Sequence, residues 1–594
     1  MSTTKGVANM FEQWALISVS NKDGIVPFAK KLIELGYKLL SSGGTAKTLK
    51  AAGLEVMDVA ELTGFPPMLG HRVVTLHPKV YGGLLARLVN PADRADAVKF
   101  GLPYIDLVCC DFYPLQAAIA KPGATIESVV EETDIGGPNM VRAAAKGNRI
   151  VICRVQDRQF VLDTIAKHGH VPNDIRQQLR ARAEYGVAEY AGASAVFHGN
   201  GQFASIFGER VVQIPKGENG HQSPAALFST GTNDPLALDK FQVVEGQALS
   251  YNNITDLERL LQTLTHIGVS WSFNFSGKAP LIAVGVKHGN PCGAAVGDFP
   301  PTVLDKMARG DSRAMFGGSV MTNFVLTEEA ADMLVNAGMR GPLTTQKFDS
   351  VIAPGFAPGA RELLARKGGK CRMVVNPDLT GVPMLDSAVR FRYVRGGFLM
   401  EPNYTKLLYK GDNEIQIFGP APTKSALMDI ILGKAVCDTS NSNTITIVRN
   451  GMLLGNGVGQ QDRVGAAELA IKRAIDAGHG KPVDIFSFSA GAVRKLMARV
   501  RRLKMKYNPI EIAKAAVESA ISAGQKGRLE CAVAVSDSFF PFPDAVEVLI
   551  NAGIRVIFST SGSIKDGIIQ KLCEDRGVTL VQLPDAKARG FFGH

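Results

Sequence analysis

From residue 15 onward, short apolar runs alternate with stretches of helical periodicity, and this alternation constrains the fold more than any other feature. Ala15–Val19 reads as a strand. Ile25, Phe28, Ala29, Leu32 and Ile33 then share one helical face, with Gly36 suited to the helix end. Tyr37–Leu40 is a second strand, and Ser41–Lys47 opens a helix that stops near Gly53. Ile105–Cys109 and Ile150–Cys153 are further strands. Strand–helix alternation predicts an α/β fold with a mostly parallel, doubly wound sheet. Residues 156–210 read as helical, including Ile175–Tyr190, followed by a link. A second α/β region starts near 211, with strand-like runs at Ile282–Val286, Ile445–Val448, Ala532–Val535 and Ile554–Phe558. The expected domains are therefore 1–200 and 211–594. No short-period repeat is visible, but the second part is long enough for two subdomains, divided near 390–430.

Composition narrows the function classes. The 594 residues are 46% hydrophobic and 20% charged, as in an ordinary globular protein, and the 62 glycines suit many tight strand–helix turns. The net charge of +11 is spread along the chain. Its densest basic run, Arg494 to Lys506, has no interleaved aromatics and reads as a solvated helix face, not a nucleic-acid patch. Anionic small substrates account equally well for the basic excess. The eight cysteines form no CxxC pair, which argues against structural zinc and a secreted disulfide framework. The apolar run Trp14–Val19 is too short for a signal peptide, and no run approaches membrane-spanning length. A cytoplasmic protein without membrane or nucleic-acid partners is the expectation.

Two kinds of turn carry chemistry. Ser18-Val19-Ser20-Asn21-Lys22 and Ser42-Gly43-Gly44-Thr45 each lie between a strand and a helix. Free amides at a helix start, hydroxyls and a lysine together favour a phosphate. In the second part, Lys287-His288 follows the buried-strand run Pro280–Val286 and precedes Gly289-Asn290-Pro291-Cys292-Gly293. A histidine exchanges protons near neutral pH, and a neighbouring lysine holds developing negative charge or donates a proton.

Longer phrases bring a family into view. Glu61-Leu-Thr-Gly-Phe-Pro66 runs on to Gly70-His71-Arg72-Val73-Val74-Thr75-Leu76-His77-Pro78-Lys79. Tyr113-Pro114, Asp134-Ile-Gly-Gly-Pro138 and Arg142-Ala-Ala-Ala-Lys146 follow. In this order they resemble the IMP cyclohydrolase domain, a methylglyoxal-synthase-like fold, over residues 15–200. The resemblance implies closure of a purine ring: a carboxamide nitrogen attacks a formyl carbon and water leaves. It implies phosphate and ribose contacts at Ser18, Ser20, Lys22, Ser42, Gly43, Gly44, Thr45, Arg72 and Thr75. It places Tyr113, Asp134 and Lys146 at the reacting atoms. One departure stands out. The family reads Arg-Val-Lys-Thr-Leu-His-Pro, and Val74 occupies the lysine position. Valine neither donates a proton nor carries charge. Lys79 and His71 are the nearby candidates to replace it.

Five further phrases accompany Lys287-His288. They are Ser250-Tyr-Asn-Asn-Ile254, Asp349 with Ile352–Gly355, Ser442-Asn443, Gly457–Arg463 and Ser536–Phe542. Together they resemble aminoimidazole carboxamide ribotide (AICAR) formyltransferase, which is fused to IMP cyclohydrolase in a bifunctional purine-synthesis enzyme. The resemblance implies two cytidine-deaminase-like α/β subdomains and 10-formyltetrahydrofolate as co-substrate. It implies AICAR, formyl-AICAR and IMP as ligands, and a homodimer. His288 would accept the proton of the attacking aromatic amine. Lys287 would stabilise the oxyanion or protonate the departing folate nitrogen, and Asn443 would orient the formyl oxygen. Phe316, Gly317, Asp349, Arg463, Phe539, Asp544 and Arg589 would line the nucleotide and folate pocket. Where the family has Arg-Tyr, this chain has Pro215-Lys216, so Lys216 keeps one charge but lacks the fork and the ring.

Two other readings stay open. Val74 permits a formyltransferase with an impaired cyclohydrolase. It also permits a nucleotide-binding module without turnover. A zinc deaminase would need H-x-E and P-C-x-x-C, whereas His288 is followed by Gly289-Asn290 and Cys292 by Gly293-Ala294-Ala295. No catalytic metal is therefore expected.

Overall fold

The computed structural model describes residues 12–275, 279–336, 346–381, 384–478 and 529–593. The basic run Arg494–Lys506 lies outside the described residues. The chain divides into two units between Phe207 and Gly208.

The first unit is built on five parallel strands: β1 (Gln13–Ser18), β2 (Lys38–Ser41), β3 (Met57–Asp58), β4 (Tyr104–Cys110) and β5 (Ile150–Ile152), in the order β3-β2-β1-β4-β5. Because strand side chains alternate, Ala15 and Ile17 face one helical layer while Trp14 and Leu16 face the other. The first layer takes Phe28, Ala29 and Leu32 of the helix Ile25–Glu34, and Val161 of the helix Val155–His168. The second takes Val80 and Leu84 of the helix Pro78–Leu85, and Met140, Val141 and Ala144 of the helix Gly136–Lys146. Both faces are covered, as a parallel sheet requires. The predicted helical stretch after residue 156 consists of two helices, Val155–His168 and Asn173–His198.

The second unit opens with a hairpin, β6 (Glu209–Ile214) and β7 (Ala225–Ser229), which forms its own small sheet. One twelve-stranded sheet follows. Its first half contains β8 (Gln242–Glu245), β9 (Leu281–Lys287), β10 (Asn290–Gly297), β11 (Ser319–Thr322), β12 (Ser350–Ala353) and β13 (Arg372–Val375). A separate hairpin, β14 (Val389–Val394) with β15 (Gly397–Pro402), interrupts the chain. The second half contains β16 (Gln416–Phe418), β17 (Ile445–Arg449), β18 (Met452–Gly457), β19 (Val533–Ser536), β20 (Val556–Ser561) and β21 (Thr579–Pro584).

The halves repeat one topology. The spatial order is β10-β9-β11-β12-β13-β8 in the first and β18-β17-β19-β20-β21-β16 in the second. Each has an antiparallel hairpin, a third strand antiparallel to it, two parallel strands and an antiparallel edge. The halves meet where β10 pairs antiparallel with β18, Ala295 opposite Met452. One long helix precedes each hairpin, Tyr251–Asn274 and Lys424–Asp438. Leu257, Leu260 and Leu264 of the first pack with Leu432, Ala435 and Val436 of the second over the join, in a single core cluster. The repeat has a period of well over a hundred residues and shares little composition, so it escapes a search for short-period similarity.

Candidate functional site

In the first unit the chain switches sides of the sheet between β1 and β4. A crevice at such a point, beyond the carboxyl ends of the strands, is where open α/β sheets bind ligands. The predicted phosphate turns lie here. Ser18 ends β1, and the backbone N–H groups of Ser20 and Asn21 donate to the Asp111 carboxylate just beyond β4. The Lys22 ammonium donates to the carbonyls of Val19 and Ser20. Arg158, buried on the helix Val155–His168, donates to the carbonyls of Asp23 (2.5 Å) and Asn21 (3.2 Å) and lies 3.5 Å from Asp111. The loop is thus held by an acid and a cation on which the sequence analysis had no reading. Asp111, directly after an apolar strand, was findable by position; Arg158 was not.

The second turn closes on the first. Thr45 is buried and exchanges hydrogen bonds with the Val19 backbone at 3.2 and 3.1 Å, so its hydroxyl serves the scaffold. Ser42 leads into the helix Gly43–Ala51 with no side-chain cap of its own, and Gly43 takes a positive φ of 53°. A Cβ on Gly44 would stand 4.0 Å from the Lys22 Cε, so the ammonium-bearing chain and the helix start share one pocket floor.

Asp134 sits at the head of the helix Gly136–Lys146 and accepts the Gly137 N–H at 2.9 Å. Its own N–H donates to the Tyr190 hydroxyl at 2.6 Å. Burial raises the Asp134 carboxyl, against the lowering pull of the Gly137, Gly136 and Tyr113 amides, and Asp111 raises it further. The Tyr113 phenol is raised by partial burial and by Asp134. Thr75 is buried, its hydroxyl 3.0 Å from where a Cβ on Gly136 would stand. Ser20, Asp111, Tyr113, Asp134 and Thr75 are therefore one neighbourhood. Arg72 is exposed at its rim, donating to the Leu69 carbonyl at 2.8 Å and 4.0 Å from Glu131.

Lys146 is not brought to this group. It ends the eleven-residue helix that Asp134 precedes, about 18 Å away along the axis. There it lines a separate cavity of about 600 Å³ with Tyr81, Asn139, Arg142, Arg180 and Glu184. The Lys79 ammonium, a candidate to replace the missing lysine, donates to the Leu62 carbonyl at 3.0 Å. Val74 is half-buried, and His71 is exposed with a positive φ of 68°.

In the second unit, Lys287 ends β9, and His288-Gly289 forms the two-residue turn into β10. Both turn residues have positive φ, 53° and 68°, the pattern of a type I′ hairpin. The Lys287 ammonium donates to the Phe316 carbonyl at 2.7 Å and lies 3.9 Å from where a Cβ on Gly317 would stand. The Asp349 N–H donates to the Gly318 carbonyl at 3.0 Å, and its carboxylate lies 3.4 Å from Arg366. Lys287, His288, Phe316, Gly317 and Asp349 are thus assembled around one hairpin.

Asn443 comes from the other half. Its side-chain N–H donates to the Gln460 carbonyl at 3.0 Å, and the two backbones exchange hydrogen bonds at 3.1 Å. The Asn441 N–H donates to the Asn290 side chain at 3.4 Å, and Asn456 donates to the Pro291 carbonyl at 2.8 Å. These bonds draw the Asn443 loop toward the His288 hairpin. A cavity of about 550 Å³ opens beside the hairpin, lined by Lys287, His288, Asn290, Asn456, Arg473 and Lys472 among others.

Other predicted residues fare differently. Arg463 is nearly buried, paired with Asp537 and donating to the Ser536 hydroxyl at 3.2 Å; its guanidinium is engaged by the protein itself. Arg589 pairs with Asp585 at 3.0 Å and stands 5.7 Å from the Phe539 ring centre. Of the aromatic cluster, Phe540 is core, Phe539 is half-buried and Phe542 is exposed. Asp544 is exposed in the first turn of the helix Asp544–Asn551. Lys216 is exposed on the loop joining β6 to β7, outside the large sheet. Cys292 is half-buried against Met315, Sγ to Sδ 3.4 Å, and desolvation pushes its thiol up to about 12.

Asp256 is a residue that sequence reasoning passed over. It follows the Ser250–Ile254 phrase by two positions, and its carboxylate accepts the Gly289 N–H at 2.8 Å.

Comparison with known proteins gives two family matches along the chain. The family model for an MGS-like domain matches residues 24–139, and that for the AICARFT/IMPCHase bienzyme matches residues 144–473. The chain is 32% identical over 582 residues to the bifunctional purine biosynthesis protein PurH of Synechocystis sp., covering 96% of this chain and 98% of that one. It is 33% identical over 583 residues to PurH of Synechococcus sp. strain CC9605, covering 95% and 97%. It is 32% identical over 585 residues to PurH of Magnetococcus marinus, covering 96% and 97%. With more than half of its length matched by one family model and nearly all of it aligned to these relatives, the chain belongs to the AICARFT/IMPCHase bienzyme family.

Proposed function

We propose that this chain carries out the last two steps of purine-nucleotide synthesis. The second unit transfers a formyl group from 10-formyltetrahydrofolate to the 5-amino group of AICAR. The first unit closes formyl-AICAR to IMP with loss of water. The observation that carries the reading is the pair of hydrogen bonds between the two halves of the sheet, Asn441 to Asn290 and Asn456 to Pro291, which draw the Asn443 loop toward the Lys287-His288 hairpin.

In the transfer, the aromatic amine attacks the formyl carbon and gives its proton to His288. The oxyanion develops beside Lys287, and Asn443 orients it. The bond from carbon to the folate nitrogen then breaks, and that nitrogen takes a proton from Lys287. Each role suits the side chain's chemistry. In the ring closure, the turns at Ser18–Lys22 and Ser42–Gly44 hold the ribotide phosphate, aided by Arg72. Asp134 polarises the attacking amide N–H, and Tyr113 serves the leaving oxygen. Thr45 and Thr75 shape this pocket from buried positions. Phe316, Gly317, Asp349, Phe539, Asp544 and Arg589 bound the transfer pocket, Arg463 organises it through Asp537, and Lys216 reaches the nucleotide from the β6–β7 loop. The donor sets need no metal.

A homodimer fits the surface. Hairpin β14–β15 exposes Phe391, Tyr393, Phe398 and Met400 on one side, an apolar face of the kind subunit interfaces cover. Among the described residues no helix is long and apolar enough to cross a membrane. The proposed setting is the cytoplasm.

Two separate assays test the reading. One follows tetrahydrofolate release from AICAR and 10-formyltetrahydrofolate; the other follows IMP formation from formyl-AICAR against the uncatalysed rate. Both reactions are expected to run. Transfer without closure would mean that Val74 has cost the first unit its chemistry, and Val74→Lys would then restore closure. Ligand binding with neither reaction would sink the proposal.

A further inference from the structure

Where the two halves of the large sheet join, β10 and β18 pair antiparallel at Ala295 and Met452. Counting on from that pair, Asn456 comes level with Pro291. A proline has no N–H to continue a ladder, so the backbone pairing lacks a donor here. Asn456 supplies one from its side chain: Nδ2 donates to the Pro291 carbonyl at 2.8 Å. The same nitrogen donates to the Ser440 hydroxyl at 3.1 Å. Pro291 lies three residues after His288, and Ser440 three residues before Asn443. One amide group thus ties the hairpin that carries the proposed base to the loop that carries the group proposed to orient the formyl oxygen.

Packing alone does not account for an asparagine here. The other side chains of β18 are Met452, Leu453 and Leu454, and every residue of the strand is buried. Asn456 is 3% exposed, and its Oδ1 has no hydrogen-bond partner among the described residues. A buried acceptor left unpaired costs free energy that a leucine of similar size would not. Such a cost persists where the group serves a function. The nearby Asn290 spans the same gap: its side chain donates to the His288 carbonyl at 3.3 Å and accepts the Asn441 N–H at 3.4 Å. Asn456 has the shorter contacts and the deeper burial of the two, and it lines the cavity beside Lys287 and His288.

Resting on the formyl-transfer reading, we propose that Asn456 is a positioning residue for formyl transfer. Its amide holds the Lys287-His288 hairpin in place against the Asn443 loop, so that proton acceptance and orientation of the formyl oxygen act on one substrate together. It touches no reacting atom in this role and acts through the two segments it joins. Small errors in such placement slow a reaction strongly, because reacting groups gain their rate advantage only when held in attack geometry. Asn376 provides the comparison. It is 1% exposed and likewise donates to a proline carbonyl, that of Pro235 at 2.9 Å, while its oxygen accepts the Asp378 N–H at 3.0 Å. It follows β13 and is not among the residues lining the cavity.

Asn456→Leu is the test, with Asn376→Leu as its counterpart, in the full chain. For Asn456→Leu, kcat of transfer should fall by about 10- to 100-fold, with KM for AICAR within about twofold of wild type and ring closure by the first unit unchanged. Asn376→Leu should lower Tm and leave kcat in place. In an Asn443→Ala background, Asn456→Leu should lower kcat by less than about threefold more, because the group it places is gone. Wild-type kcat in folded Asn456→Leu overturns the proposal. So does an equal kcat loss in Asn376→Leu, or a full multiplicative loss in the double variant. If Asn456→Leu does not fold, Asn456→Asp, which keeps the shape, is read instead. Only its protonated carboxyl can donate to the Pro291 carbonyl, so its rate relative to wild type should rise as pH falls; a ratio constant with pH overturns the proposal. Wild-type transfer by Asn443→Ala would break the transfer reading itself, whereas impaired Asn443→Ala beside wild-type Asn456→Leu breaks this proposal alone.

Discussion

The turn at His288-Gly289 and the turn at Asn450-Gly451 have the same loop length, the same signs of φ and the same kind of aspartate behind them. They differ in the first turn residue. Asn450 satisfies the backbone, whereas His288 accepts a strained position and lines a cavity together with Lys287 and Asn456. The scaffold was built twice, and one copy of the turn gave up conformational preference for chemistry. Strain of this kind, of order 1–3 kcal/mol, persists where the surrounding structure over-determines it.

The sharpest way to break the comparison is to make the first turn read like the second. In His288→Asn, formyl transfer is expected to fall by about 10²–10⁴-fold, the range for loss of a general base, while Tm holds or rises. Tetrahydrofolate release and calorimetry on the same sample check this. A fall in Tm would mean that His288 is structural.

A second difference lies in the long helices. Lys434 and Asp438 form a buried ion pair in the second half, and Asp438 holds Lys434 charged. Counted from the N-caps, the first half has Leu261 and Thr265 at these places. Lys434→Met leaves Asp438 buried without its cation and should cost about 3–5 kcal/mol, measured by denaturant unfolding.

The glycines separate backbone strain from packing. Gly289 and Gly451 share φ of 68°, but a Cβ at 289 meets nothing within 4 Å, while one at 451 stands 3.0 Å from the Val296 Cγ2 and 3.1 Å from its carbonyl oxygen. Gly289→Ala should cost about 1–2 kcal/mol from the left-handed conformation alone. Gly451→Ala should cost more, and the difference in unfolding free energy measures the crowding.

A further effect is in pH dependence. Burial lifts the Asp429 carboxyl from 3.8 to about 6, against the pull of two backbone amides. A raised carboxyl favours the folded state below its unfolded value and loses that contribution as pH rises through the folded one. The Tm advantage of wild type over Asp429→Asn should therefore shrink between about pH 4 and pH 7. A constant gap would place the carboxyl at its ordinary value.

The alternation of apolar runs and helical periodicity was legible as a doubly wound sheet because burial on both faces leaves an unbroken hydrophobic signature in each strand. The hydroxyl- and glycine-rich turns, and the Lys287-His288 pair after an apolar strand, were legible for a related reason: strand ends and helix starts have few allowed chemistries, and local spacing reports them. Strands β9, β17, β19 and β20 were placed to within a few residues by the same signal.

Other features depended on contacts between residues far apart in sequence. Asp256 and Gly289 are separated by 33 residues, and Asn290 and Asn441 by 151. Nothing local to either partner announces the other. The same holds for Arg158 on Asp111, for Lys79 on the Leu62 carbonyl, and for Arg463 on Asp537. Sequence could say that Lys79 stood near the missing lysine and that Arg463 suited an anion; only the fold showed the carbonyl and the carboxylate that each one meets. The repeat of the two halves is the extreme case. It resides in strand order and turn conformation, which many sequences satisfy, so it survived after the side chains had diverged. By itself the sequence determined which elements form and which chemistry their ends can hold, since those follow from local propensity and periodicity. The tertiary structure decided which of those groups meet and which are occupied, because that depends on long-range packing that no single segment encodes.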